Sequence, residues 1–264
     1  MKIDLTGRTA VITGSTGGIG LAIAKGLASA GADIVVNGRR QNVTDTVVAE
    51  LSAQYAGVKV QGIAADLARK QDVERFVRLA PEADILVNNL GIYSEGDFFD
   101  IPDEEWFRFF ETNVMSGVRL SRHYMPGMLA RDWGRVVFLS SESGVTTRVE
   151  RMHYSTTKTA VLAIARGLAE RARGTRVTSN SIIVGTTLTE QITEMVQQMA
   201  EDAGITFEEA QRQVIAEHRP TQLTPLLATT EEVANMVIYV TSEQASATTG
   251  AALRVDGGGI TTIL

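Results

Sequence analysis

The sequence predicts an α/β fold, doubly wound around a parallel sheet, on three observations. Short apolar runs rich in β-branched residues alternate with longer segments whose apolar residues recur at helical spacing, which is the pattern of βαβ units. The first such unit fits strand, helix and strand into roughly 30 residues around a glycine-rich turn, so its crossover should be right-handed and its sheet parallel. The third observation is a length of 264 residues with no internal repeat and no linker, which suits one large core and one domain over 1–264.

Arg8 to Thr13 is the first strand, and the turn Thr13-Gly14-Ser15-Thr16-Gly17-Gly18-Ile19-Gly20 leads into helical spacing through Leu27. Ala32 to Asn37 is the second strand, and Val58 to Ala64 the third, ending in Ala65-Asp66-Leu67 before a helix from Asp72 to Leu79. Asp84 starts a fourth strand that runs into the polar turn Asn88-Asn89-Leu90-Gly91. Pro102 to Leu129 reads as one long helix whose Trp106, Phe107, Phe110, Val114, Val118, Met125 and Met128 form a core or subunit face. Asn113 lies inside it, a poor helix former whose polar side chain needs a reason.

Trp133-Gly134 ends that helix, and Arg135 to Leu139 is a fifth strand delivering Ser140 and Ser141. A helix from about Met152 to Ala172 carries Tyr154 and Lys158, followed by a sixth strand from Thr175 to Ile183. Glu231 to Val240 is helical, and Ala252 to Val255 is a closing strand before Asp256-Gly257-Gly258-Gly259. Between them, 186–224 is an insertion with Ile192, Met195, Val196 and Met199 on one helical stripe and a second, charged helix through Phe207 and Val214. Such a pair can cap a pocket as a lid, or pack on the body or a neighbouring subunit.

A net charge of −6 and a pI near 5.2 argue against nucleic acid as partner, since that affinity rests on basic patches. With no cysteine there is neither a disulfide framework nor a thiolate zinc site, and the reducing cytoplasm is the expected compartment. His123, His153 and His218 share no metal-ligand spacing, so no metal is expected. Charges in the first residues leave no room for a signal-peptide apolar segment, and no run of about 18 apolar residues occurs, so neither export nor membrane spanning is expected.

The glycine turn has the chemistry of a pyrophosphate site: the orphan N–H groups and positive dipole end of a helix attract anions. Gly14 permits the sharp turn, Gly18 lets backbone approach the phosphates, and Gly20 lets the helix pack closely on the sheet. The second strand ends in Asn37-Gly38-Arg39-Arg40, with no carboxylate for a ribose diol and an Arg39 that would welcome a 2′-phosphate; NADP(H) is favoured and NAD(H) is the alternative. Asp66 reads equally as a helix cap or an adenine contact. Tyr154 and Lys158 are four residues apart on one helix face, so the cation and a bound, positive nicotinamide ring should both favour phenolate and move the phenol toward the range useful for proton transfer.

Together Thr13-Gly14-x-x-x-Gly18-Ile19-Gly20, Asn88-Asn89-Leu90-Gly91, Asn113, Ser141, Tyr154-x-x-x-Lys158 and Asp256-Gly257-Gly258 resemble the short-chain dehydrogenase/reductase family over essentially the whole chain. The resemblance implies a Rossmann-type seven-stranded parallel sheet with helices on both faces and the inserted helical lid. It implies a tetrad of Asn113, Ser141, Tyr154 and Lys158, and cofactor contacts from Gly14, Ser15, Thr16, Gly18, Ile19, Gly20, Arg39, Asp66, Leu67, Asn89 and Gly91 as well as from Tyr154 and Lys158. Thr187 and Thr189 would contact the nicotinamide carboxamide and the phosphates, and Asn113 would hold a water that resupplies the proton through Lys158. Leu90 stands where the family has alanine, and Val184-Gly185 where it has Pro-Gly; neither departure removes a catalytic group.

Hydride transfer between nicotinamide and a ketone or secondary alcohol is the expected reaction, with Tyr154 as acid or base and Ser141 stabilising the developing oxyanion. Alternatives are an NAD-dependent dehydrogenase of a secondary alcohol or dihydrodiol, and a non-catalytic dinucleotide-binding sensor. The stretch Arg148 to His153, where the family lines its substrate pocket, mixes charge with apolar groups and points to no particular substrate. The family's habit implies a homotetramer, or a homodimer, built on the two long helices and the last strand.

Overall fold

The computed structural model describes residues 2–263. Its main sheet has seven strands, all pairs parallel, in the order β3-β2-β1-β4-β5-β6-β9. These are β1 (Thr9–Ile12), β2 (Asp33–Gly38), β3 (Val60–Ala64), β4 (Ile85–Asn88), β5 (Gly134–Ser141), β6 (Val177–Val184) and β9 (Ala252–Val255). Two-residue strands β7 (Thr187–Leu188) and β8 (Ala228–Thr229) pair with each other in a separate small sheet that the sequence did not announce. Strand order reverses between β1 and its neighbours β2 and β4, the place where a parallel sheet opens a crevice at its carboxyl edge.

Helices cover both faces, and the period-2 alternation of the strands sorts the core accordingly. Ala10, Ile12, Ile34, Val36, Ile85, Val87, Val137 and Leu139 face one cluster, which includes Ile23 and Leu27 of α1 (Gly18–Ser29) and Val237 of α9 (Thr230–Thr241). Val11, Val35, Leu86, Val136 and Phe138 face the other, with Phe76 of α3 (Lys70–Leu79), Leu120 of α5 (Ser116–Ala130) and Val161 of α6 (Met152–Arg171). A third cluster around Val196, Ala210 and Val214 joins α7 (Glu190–Ala203) to α8 (Phe207–His218), the helical pair of the insertion.

Two helical features depart from the sequence reading. Helix α2 (Gln41–Gln54) lies where no element was expected, because only Thr44, Val47 and Leu51 are buried in an otherwise polar segment. The expected long helix from Pro102 is three pieces: α4 (Asp103–Phe110), a π-helical turn over Glu111–Met115, and α5. Asn113 sits in the π turn, whose extra residue per turn swings its amide out of the regular helix face.

Candidate active site

The carboxyl ends of β1, β4, β5 and β6 bring Ile19, Asn89, Gly91, Ser141, Tyr154 and Lys158 to one crevice. Gly14 adopts φ +60°, which turns the chain sharply off β1. Gly20 is needed for close approach: a Cβ there would lie 2.3 Å from the Gly14 carbonyl oxygen and 2.6 Å from Asn89 Nδ2. Its tight neighbours are therefore the turn and the loop after β4, where the sequence reading had expected the sheet. Asn89 Nδ2 donates to the Thr13 and Gly14 carbonyls at 2.9 and 3.1 Å, while Thr13 Oγ1 accepts from the Asn89 and Leu90 amides, stitching the two strand ends together.

Ser15 has a different task from the one expected of it. Fully buried, its hydroxyl donates to the Ile12 carbonyl at 2.8 Å and accepts from the Asn37 amide at 3.0 Å, and its own amide donates to the Asn37 carbonyl at 2.8 Å, so both side chain and N–H join β1 to β2. Leu67 likewise buries its side chain in the core. Asp66 accepts from the Ala68 amide and pairs with Arg69 at 3.4 Å, which is the local turn reading of that residue. Arg39 is exposed just past Gly38, and Gly38 lies against Thr16: a Cβ there would come 2.5 Å from Thr16 Cγ2. Among the described residues no carboxylate pairs with Arg39.

The amino end of α1 already holds an anionic group. The Gly18 amide donates to both carboxylate oxygens of Glu190, each at 3.1 Å, and Thr189 packs beside it. A carboxylate from the first turn of α7 thus stands where the helix N-terminus attracts negative charge. Thr187 bonds the Gly185 carbonyl and lines the adjoining cavity with Thr189.

A cavity of about 210 Å³ is lined by Ile19, Asn89, Gly91, Ser141, Tyr154 and Lys158, so the glycine turn, the β4 loop, the β5 end and the first turns of α6 converge. Lys158 is buried, donates to the Leu139 carbonyl at 2.9 Å and lies 5.7 Å from the centre of the Tyr154 ring. Burial lowers its ammonium to a pKa of about 8. Tyr154 moves upward, against the sequence expectation: burial dominates, and the hydrogen bond from Ser141 and the charge of Arg151 only partly offset it. Lys158 is not among the groups that offset this shift.

Asn113 is a clamp. Its Oδ1 accepts from the Ile92 amide at 2.7 Å, and Nδ2 donates to the Ile92 carbonyl and to Thr157 Oγ1, both at 3.0 Å. The amide ties the β4 loop to α6, and a water at this side chain would have only the remaining lone pair of Oδ1. His153 is a packing residue, buried against Phe109 with ring centres 4.4 Å apart and Nε2 3.0 Å from Ser94 Oγ.

A second cavity of about 420 Å³ opens beyond Tyr154 toward the insertion, and several of its residues escaped the sequence reading. Tyr93 meets Tyr154 edge to face at 5.1 Å. Glu142, next to Ser141, forms a bidentate ion pair with Arg219, which also donates to Thr186 Oγ1 at 2.7 Å. No local pattern could have linked Glu142 to Arg219, 77 positions apart, or Glu190 to Gly18, 172 apart. An acidic residue directly after Ser141, facing an inserted segment, was the available hint. Among the described residues no group of three potential metal ligands comes together, and no helix is long and apolar enough to cross a membrane.

Comparison with known proteins gives a consistent picture. The sequence model described as short chain dehydrogenase matches residues 8–203. The oxidoreductase YvaG of Bacillus subtilis is 46% identical over 258 residues, covering 98% of both chains. D-beta-hydroxybutyrate dehydrogenase of Cupriavidus necator is 34% identical, covering 96% of this chain and 98% of that one. The crystal structure of L-sorbose reductase from Gluconobacter frateurii, complexed with NADPH and L-sorbose, superposes with a TM-score of 0.90 at 34% identity and covers all of both chains.

Proposed function

Because the chain belongs to the short-chain dehydrogenase family, whose members here are oxidoreductases of CH–OH and C=O groups, we propose that it is an NADP(H)-dependent reductase of a ketone, run in reverse on a secondary alcohol, with Tyr154 as acid and base. The observation that carries the reading is the shared cavity: Tyr154, Ser141 and Lys158 line one space of about 210 Å³ beside the glycine turn. When bound there, the nicotinamide supplies or accepts the hydride.

The protein's own groups do the rest. The amides of the glycine turn take the pyrophosphate, as the Glu190 carboxylate on Gly18 illustrates. Arg39, exposed and without an acidic neighbour at the end of β2, supports the 2′-phosphate and hence NADP over NAD. Tyr154 holds the proton destined for the carbonyl oxygen, and burial keeps it protonated until a reacting oxygen needs it. Ser141 orients the phenol and offers its hydroxyl to the developing oxyanion. Lys158, half-charged near pH 8, is placed to relay a proton toward the phenol, and Asn113 fixes the loop that carries Gly91. The substrates named for two relatives, a hydroxybutyrate and a sorbose, each present a hydroxyl or carbonyl carbon of the kind this site would accept.

We place the enzyme in the reducing cytoplasm and assign the 186–224 segment as a lid within a single-domain subunit of a homotetramer. Tyr154→Phe tests the central claim: turnover of a ketone with NADPH should fall by about three orders of magnitude or more, with NADPH affinity within about threefold of wild type. Near-normal turnover by that variant would remove Tyr154 from the proton step.

A further inference from the structure

The cavity beyond Tyr154 carries more positive charge than its carboxylates neutralise. Glu142 and Arg219 satisfy each other. Arg148 and Arg151, also on the lining, share one carboxylate, that of Glu95. Arg151 donates to Glu95 at 2.6 Å, Tyr93 donates to the same carboxylate, and Arg148 makes its one bond to the neutral His218 carbonyl at 2.6 Å. The Tyr93 hydrogen bond, aided by the two guanidinium groups, holds the Glu95 carboxyl below its usual range despite its partial burial. His218 lines the same cavity, with the Glu217 carboxylate 3.8 Å from its ring.

Backbone geometry presents the two arginines together. Arg148, in extended backbone, precedes and Arg151 ends a single 3₁₀ turn, closed by the Arg151 amide on the Arg148 carbonyl at 3.2 Å. Arg151 lies over the Tyr93 ring at 5.2 Å, and Tyr93 meets Tyr154 at 5.1 Å, so the guanidinium stands one ring away from the phenol. Its Nε–H is buried and has no partner among the described residues. Two guanidinium groups on one lining, with a single carboxylate bonded to the pair, are what a second, planar carboxylate completes.

We propose that the substrate is a short oxo or hydroxy acid whose carboxylate is received by Arg148 and Arg151, a few carbons from the carbonyl that faces Tyr154. The single surplus charge matches a monoanion better than a phosphate dianion, and a space of about 420 Å³ accommodates a short chain. The proposal deepens the reductase reading and rests on it only for where the reacting carbon lies.

The test therefore separates binding from turnover. The full-length protein, with and without saturating NADPH, is titrated calorimetrically with hexanoate, hexanamide and hexyl phosphate. Hexanoate should bind at least about tenfold more tightly than the other two, and Arg148→Gln and Arg151→Gln should each erase most of that preference while hexanamide affinity stays the same. Equal affinity for acid and amide, or a preference for the phosphate, overturns the proposal whatever the enzyme turns over. In parallel, 5-oxohexanoate and its methyl ester are assayed with NADPH. The acid should be favoured through a lower KM, and that advantage should collapse in both variants. Arginine-dependent hexanoate binding with no reduction of either carbonyl would leave the acid site standing and refute the reductase.

Discussion

Lys158 spends its charge in an unusual place: buried, bonded to the Leu139 carbonyl, and with no carboxylate paired to it among the described residues. Its pKa of about 8, against roughly 10.4 in an unfolded chain, makes folding pH-dependent. Between those values the unfolded state binds a proton that the folded state does not, so this residue's contribution to stability rises as pH climbs from about 8 toward 10. Below pH 8 it costs the ligand-free protein about 3 kcal/mol at most. Lys158→Met should accordingly be the more stable protein at pH 7, and urea unfolding should show that advantage shrinking by pH 9.5. An advantage that stays constant would mean burial does not govern this ammonium. Tyr154 works in the opposite sense: a phenol raised by burial contributes stability that is present below its unfolded pKa and lost above it. Residue identities at this site were legible, because Tyr154 and Lys158 sit four apart on a helix and Ser141 ends an apolar strand. The direction of the phenol's shift was not. It depends on how much protein surrounds the ring, which is set by β5, α6 and the β4 loop together.

Among the elements, Asn113 and α7 show what a pattern can and cannot convey. A poor helix former inside a helical stretch was a readable anomaly, and its explanation is a π turn that aims the amide at Ile92 and Thr157. The break itself leaves no mark on apolar periodicity, since Phe109, Val114 and Leu120 are all buried in spite of it. In α7 the stripe of Ile192, Met195, Val196 and Met199 announced a packed helix; Ile192, Val196 and Met199 pack toward α8, while Met195 stays exposed on the cavity wall. Nothing announced that its first turn reaches the glycine turn of β1. That contact has a measurable effect. The Glu190 carboxylate sits on the Gly18 amide proposed for the pyrophosphate, so on that proposal cofactor would have to displace it, with the displaced charge left nearby as a repulsive neighbour. Glu190→Gln removes the charge and keeps the shape. NADPH affinity, read by fluorescence titration, should tighten by about three- to tenfold, close to 1 kcal/mol. Weaker binding would show that Glu190 helps to hold the cofactor once α7 has moved.

For the molecule as a whole, the sheet and its two helical layers could be anticipated because strand alternation and βαβ order are local and repeated, whereas subunit assembly depends on what two surfaces do together. Two such surfaces are present. On one face α5 and α6 leave an apolar groove of about 370 Å³, lined by Val118, Met125, Leu129, Ile164 and Leu168 with Arg122 and Arg171 at its rim. At the far side of the molecule β9 ends the sheet with an edge paired only to β6. An apolar helical face and an open strand edge each want covering, and a second copy related by a two-fold axis covers the same patch on both partners. Since the groove and the edge are different patches, they can define two different two-fold axes, and two perpendicular axes close a tetramer. The proposed homotetramer therefore predicts a separable response. Ile164→Asp with Leu168→Asp places charge in the groove alone, and sedimentation velocity should show the tetramer replaced by dimers held through the β9 edge. A wild-type protein that sediments as a monomer at micromolar concentration overturns the assembly. A variant that falls straight to monomer would show that the β9 contact has no strength of its own.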